Sequence, residues 1–221
     1  YINKEDNAAI KDFEDVVAFG PSNFYENALL KSGEIYTEQK NYAGMKRVYA
    51  LLESITDLKE NKELAQKSLM VANYMTKNFQ DAIRYAAIVL AFEKTNEALS
   101  QYALYVSASS EMQAGNREGA MVHFRKLAQY SGNEYTAEAK YMVCEDLYEK
   151  GDYAGCEKKI MANINSLNPF PNWLAKLFIL LADNYVKQDN VFQAKATLQS
   201  VIDNHDGADL VNLAKSKLNA I

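Results

Sequence analysis

The residues able to do chemistry in this chain are few. The 221 residues hold 2 His and 2 Cys. His123 and His205 stand far apart in sequence, and a Ser-His-Asp arrangement needs only one of them. His123 lies beside Phe124 on an apolar-periodic segment, and His205 lies beside Asp206 in a loop, which reads as packing and solvation. G-x-S-x-G, G-x-x-x-x-G-K-[ST], G-x-G-x-x-G and H-E-x-x-H are all missing. Glu145 and Glu149 lie one helical turn apart, a spacing open to acid–base chemistry but explained more simply by a solvated helix face. Cys144 and Cys156 are twelve residues apart, not a C-x-x-C pair, and no nearby His stands ready to activate a thiol. They read as small buried hydrophobes kept reduced, the alternative being a disulfide or redox pair. Two Cys and two His do not suit a four-ligand zinc site. The reading is a protein without catalytic residues, metal or cofactor.

Composition narrows the partners. Lys plus Arg number 24 against 29 Asp plus Glu, a net charge of −5, which lacks the basic footprint of a nucleic-acid binder. No run of 18 apolar residues is present to span a membrane. Hydrophobic residues at 48% suit a globular core, while 9 Gly and 3 Pro are too few for an all-β chain full of turns. The chain opens Tyr-Ile-Asn-Lys rather than with Met, so a piece trimmed from a longer protein is expected, any targeting segment lying outside it.

The elements that position these residues are helices. From Trp173 to Tyr185, Leu174, Phe178, Leu181, Ala182 and Tyr185 follow steps of three and four. Slim residues open apolar runs at Ala9, Met45, Ala82, Ala120, Cys156 and Ala194, each 36 to 38 residues after the last. Twelve residues before the last five stand Gly33, Met70, Ala108, Cys144 and Ala182. Slim residues at that spacing suit two antiparallel helices crossing closely, an αα-hairpin repeated along the chain. Four residues before the same five stand Asn41, Asn78, Asn116, Asp152 and Asn190, each suited to cap the following helix. Gly115 and Gly151 precede two of these caps, where a left-handed residue is expected.

This pattern resembles the tetratricopeptide repeat, whose signature is W-x2-L-G-x2-Y, then A-x3-F, then P. Phe178, Leu181, Ala182, Tyr185, Ala194, Leu198 and Val201 match it in one repeat. Leu29, Gly33, Tyr36, Met45, Tyr49 and Leu52 match it in another. Gln66, Lys140 and Asn163 depart from it, placing polar groups where apolar ones are usual. The resemblance implies an all-α fold, a right-handed α-solenoid of stacked antiparallel helix pairs. The expected division is 1–21 (second helix of a truncated repeat), then repeats at 22–58, 59–94, 95–132, 133–168 and 169–206, with 207–221 as a capping helix or the start of another repeat. Leu210, Leu213, Ala214 and Leu218 are expected to face the last repeat, with Lys215 and Lys217 in water.

At 100° per residue, a second stripe of the first helices points away from the core. It carries Tyr74, then Tyr102, Tyr105 and Met112, then Glu138, Tyr141, Glu145, Tyr148 and Glu149, and then Asp183. The resemblance implies that this stripe lines a concave groove. Aromatic residues and Met mixed with carboxylates suit a protein or peptide ligand carrying Lys or Arg. The same tyrosines also suit packing between adjacent first helices with only their hydroxyls wet. Some relatives clamp a chaperone's C-terminal carboxylate with Lys, Asn and Arg; here Leu30, Glu34, Lys67, Val71, Tyr105 and Ser109 stand instead, which disfavours that partner. The expected function is therefore a non-catalytic interaction scaffold, the alternatives being a structural spacer or a regulatory domain of an enzyme. The Asn- and Tyr-rich repeats look like those of bacterial proteins of this kind, some of which work in the cell envelope.

Overall fold

The computed structural model describes residues 4–221, so Tyr1–Asn3 of the first expected half-repeat lie outside it. Among the described residues there are twelve α-helices and no strand. They are α1 Lys4–Phe19, α2 Tyr25–Glu38, α3 Tyr42–Ile55, α4 Lys59–Met75, α5 Phe79–Leu90 and α6 Glu97–Gln113, then α7 Arg117–Leu127, α8 Glu134–Glu149, α9 Tyr153–Leu167, α10 Pro171–Lys187, α11 Val191–Asn204 and α12 Ala208–Asn219. The chain divides into two compact units, residues 1–120 and 121–221. In the first, each helix from α1 to α6 packs on the next, and α4 also meets α6. In the second, α8 to α12 pack in succession, and α10 also meets both α8 and α12.

The paired slim positions are buried. Met45, Met70, Ala82, Ala108, Ala120, Cys144, Cys156, Ala182 and Ala194 are all 2% exposed or less. In α2 and α3 the approach is tighter still: a Cβ added to Gly33 would lie 2.6 Å from the Tyr49 ring, and one at Gly44 2.6 Å from the Tyr36 ring. The core of the first unit is built on Leu29, Val48, Leu52, Leu69 and Val89, and that of the second on Ile160, Leu167, Leu177, Leu181 and Leu198. Such a hairpin buries its apolar face only against its neighbours. Two polar departures from the repeat pattern are accommodated by local bonds. Buried Asn163 donates to the Cys144 thiol at 3.7 Å, and half-buried Gln66 donates to Glu53 at 3.0 Å.

The turns follow one rule, with one exception. Asn41, Asn116, Asp152 and Asn190 accept from the amide three residues on, at 3.0, 3.1, 2.9 and 3.3 Å. Asn78 does not cap in this way, contrary to expectation. Its side-chain amide instead donates to Asn73 at 3.1 Å and to Asp81 at 2.8 Å, so the Asp81 carboxylate draws it away from the helix end. The residue before each cap is left-handed in all five turns: Gly115 and Gly151 at φ 79° and 77°, but Lys40, Lys77 and Asp189 at 53°, 60° and 59°. A side chain in that conformation costs roughly 1–2 kcal/mol. Lys77→Gly and Asp189→Gly are each expected to stabilise by about 1 kcal/mol, read as a higher urea midpoint at unchanged slope.

Lys140 is a third departure. It is 6% exposed, yet its ammonium meets two hydroxyls, Ser131 at 2.7 Å and Ser166 at 3.0 Å. Burial, then the charge of Lys159, holds its pKa below the ordinary lysine value. The unfolded chain therefore binds the proton more tightly. The penalty is present below the folded pKa and fades as pH rises toward the unfolded one. Lys140→Met is expected to raise stability by about 1 kcal/mol at pH 7, because an apolar side chain of similar length replaces a buried charge. In urea titrations that gain should shrink above pH 10, and a destabilised variant would show that the serine bonds outweigh the burial cost.

Candidate functional site

The second unit contains a cleft of about 260 Å³ along its first helices. Helix α8 contributes Tyr141, Glu145, Tyr148 and Glu149, one face of the helix at i, i+4, i+7 and i+8. Helix α10 contributes Lys176, Ile179, Leu180 and Asp183, and α12 contributes Leu210, Leu213 and Lys217. The walls are thus aromatic and aliphatic, with three carboxylates and two ammonium groups among them.

The aromatic wall is held from behind. Tyr141 lies against Trp173, ring centres 5.7 Å apart, and its hydroxyl donates to Glu145 at 2.9 Å. Trp173 is in turn fixed by its indole N–H, which donates to Glu134 at 2.7 Å, and by the Lys176 ammonium 4.1 Å above its ring. Burial, reinforced by the charge and hydrogen bond of Glu145, pushes the Tyr141 phenol far above its ordinary pKa. It is therefore a protonated donor at any physiological pH. Tyr148 packs on Tyr153 at 5.7 Å, and burial raises its phenol as well, with the charge of Asp183 adding. Across the cleft, Lys217 bridges both oxygens of Asp183 at 2.8 and 2.9 Å, tying α12 to α10.

Five of the residues expected from the sequence, Tyr141, Glu145, Tyr148, Glu149 and Asp183, meet in this cleft. Glu138 is half-buried one turn earlier on α8, outside the lining. Tyr74, Tyr102, Tyr105 and Met112 belong to the first unit. There Tyr74 of α4 meets Tyr105 of α6 edge-on at 6.1 Å, and its hydroxyl bonds Ser109 at 3.0 Å. Those two tyrosines fill the seam between adjacent first helices. Tyr102 and Met112 are half-buried on α6.

The contribution of α12 departs from expectation. Lys217 is engaged with Asp183 rather than left in water, and Leu213 is 43% exposed at the cleft rather than packed inward. Leu210, Leu213 and Lys217 stand at i, i+3 and i+7, the same stripe spacing that marks α8, so the signal was present in the helix itself. Among the described residues no group of three or more His, Cys, Asp or Glu is placed to hold a metal ion. None of the helices is long and apolar enough to cross a membrane. Cys144 and Cys156 lie together inside the same unit, both buried and unbridged, the Cys156 thiol donating to the Cys144 carbonyl at 3.3 Å.

Residues 178–208, from within α10 through α11 to the first residue of α12, match the tetratricopeptide repeat family. The solved structure of YrrB, described as a TPR protein with an unusual peptide-binding site, superimposes with a TM-score of 0.62 at 14% identity, covering 92% of this chain and 97% of that one. This is a tetratricopeptide-repeat fold. A tetratricopeptide repeat protein from Parabacteroides merdae also aligns, at 13% identity and a TM-score of 0.44, over 96% of this chain and 78% of that one. No curated protein matches the sequence. Tetratricopeptide-repeat proteins are in general non-catalytic scaffolds for protein–protein contacts.

Proposed function

We propose that this tetratricopeptide-repeat protein is a non-catalytic scaffold whose α8–α10–α12 cleft holds an extended or helical segment of a partner protein. The observation that carries this is the pairing of Tyr141 and Tyr148 with Glu145, Glu149 and Asp183 along one cleft. Tyr offers large contact area at low conformational cost and is enriched among residues that dominate binding energy. The acidic members favour a segment carrying Lys or Arg. That YrrB has a peptide-binding site adds support from the same fold.

A spacer role draws on the first unit, where Tyr74 and Tyr105 pack against each other between α4 and α6. Display selection of random twelve-residue peptides on the full chain separates the two readings. Enrichment of basic, apolar-flanked peptides that no longer bind a Tyr141→Ala, Tyr148→Ala chain supports the scaffold. Failure to enrich any such peptide favours the spacer.

A further inference from the structure

Helix α8 has a second working face. Val143, Asp146, Leu147 and Lys150 recur at steps of three, one and three on the side opposite Tyr141 and Tyr148. They line a separate cavity of about 440 Å³ with Arg125, Ala128, Gln129 and Lys159. Arg125 and Lys150 converge on one oxygen of Asp146 at 2.7 and 2.9 Å. The Asp146 side chain is 7% exposed, while those of the two cations are 50% and 61% exposed. Burial opposes ionisation of Asp146, but the hydrogen bonds from Lys150 and Arg125 outweigh it and hold the carboxyl below its usual range.

One fixed carboxylate thus organises two cations whose remaining donors face water. Lys159 adds a third cation, exposed and without an ion pair to any described residue. Its charge also reaches buried Lys140, whose ammonium meets the hydroxyls of Ser131 and Ser166. In a chain of net charge −5, this cavity carries three cations against one anion.

We propose that this cavity binds an acidic protein segment, its carboxylates on Arg125 and Lys159 and a neighbouring apolar side chain on the floor made by Ala128, Val143 and Leu147. Arginine offers a planar fork to a carboxylate, with Asp146 already holding the guanidinium in place. The apolar floor decides between ligand classes: a lone inorganic anion has nothing to lay on it, whereas an acidic peptide does. The site is distinct from the α8–α10–α12 cleft and prefers ligands of opposite charge.

The test is fluorescence anisotropy of the labelled peptide Glu-Leu-Glu-Asp-Leu-Glu against the full chain. Saturable binding is expected at low salt, weakening as salt rises. Lys159→Glu should weaken it at least tenfold, Lys159→Gln by less, and Lys195→Glu on α11 should match the parent. Peptides selected for the other cleft should still bind the Lys159→Glu chain, which keeps failure here separate from failure of the scaffold reading. The proposal is overturned if the acidic peptide shows no saturable binding, or if Lys159→Glu binds it as tightly as the parent. It is also overturned if inorganic phosphate displaces the peptide at concentrations equal to its own, since the floor would then contribute nothing.

Discussion

Replacing Tyr141 and Tyr148 together by Ala is expected to weaken binding of a cleft-selected basic peptide about thirtyfold or more. Truncating an aromatic anchor at an interface commonly costs about 2 kcal/mol, and each 1.4 kcal/mol is a factor of ten. Both rings are half-buried at the surface of α8 rather than in the core, so the helical spectrum should stay intact. Tyr141 contributes more than area, because its protonated hydroxyl holds Glu145 at 2.9 Å. Removing the ring takes away that hydrogen bond and the ring packed on Trp173. If the cleft takes a basic segment as proposed, the parent complex should weaken as salt rises, and the Glu149→Gln chain should show a shallower salt dependence. Titration calorimetry reads both effects. Equal affinity for parent and double variant would remove the cleft as the site.

The other large effect lies in the buried thiols. Burial pushes the Cys144 thiol up to about 11, partly offset by the hydrogen bond from Asn163. Burial, then the neighbouring charges of Cys144, Asp152 and Glu157, pushes Cys156 up to about 12. In the unfolded chain both would ionise near the ordinary cysteine value of about 8.5. The folded state keeps its protons longer, so the stability these thiols supply is fully present below the unfolded pKa and is lost as pH rises through the folded values. Between pH 8 and pH 11 the loss should reach several kcal/mol, since each unit of separation is worth about 1.4 kcal/mol and two thiols contribute.

The Cys144→Ala, Cys156→Ala chain should behave in the opposite sense. At pH 7 it should be less stable by about 1–2 kcal/mol, for two small buried groups removed. Ala already fills the corresponding positions at Ala108, Ala120, Ala182 and Ala194, so folding should survive. By pH 11 it should be the more stable of the two. Urea midpoints for parent and variant should therefore cross with rising pH. Parallel curves would mean the thiols are not the groups that titrate, and a disulfide found by mass analysis of the folded parent would contradict the reduced pair.

What was legible in the sequence is what local physics dictates. A turn's chemistry lies within four residues, so Asn41, Asn116, Asp152 and Asn190 announced their caps, and the slim residues twelve apart marked buried positions. The stripe at Tyr141, Glu145 and Tyr148 was readable for the same reason, since one helix face is a matter of counting. Asn78 shows where local reading fails: the same residue type in the same register is claimed by Asn73 and Asp81, two competing partners whose geometry the spacing does not contain. Which stripes become clefts was decided by packing between helices. Leu210 and Lys217 join Tyr141 only because α12 lies against α10, and Tyr74 is spent on Tyr105 because α4 and α6 adjoin. The opposite face of α8 became a basic cavity only when α7 brought Arg125 onto Asp146. Spacing along one helix fixes which side chains share a face; the neighbour set against that face decides whether they are core, cleft or ion pair.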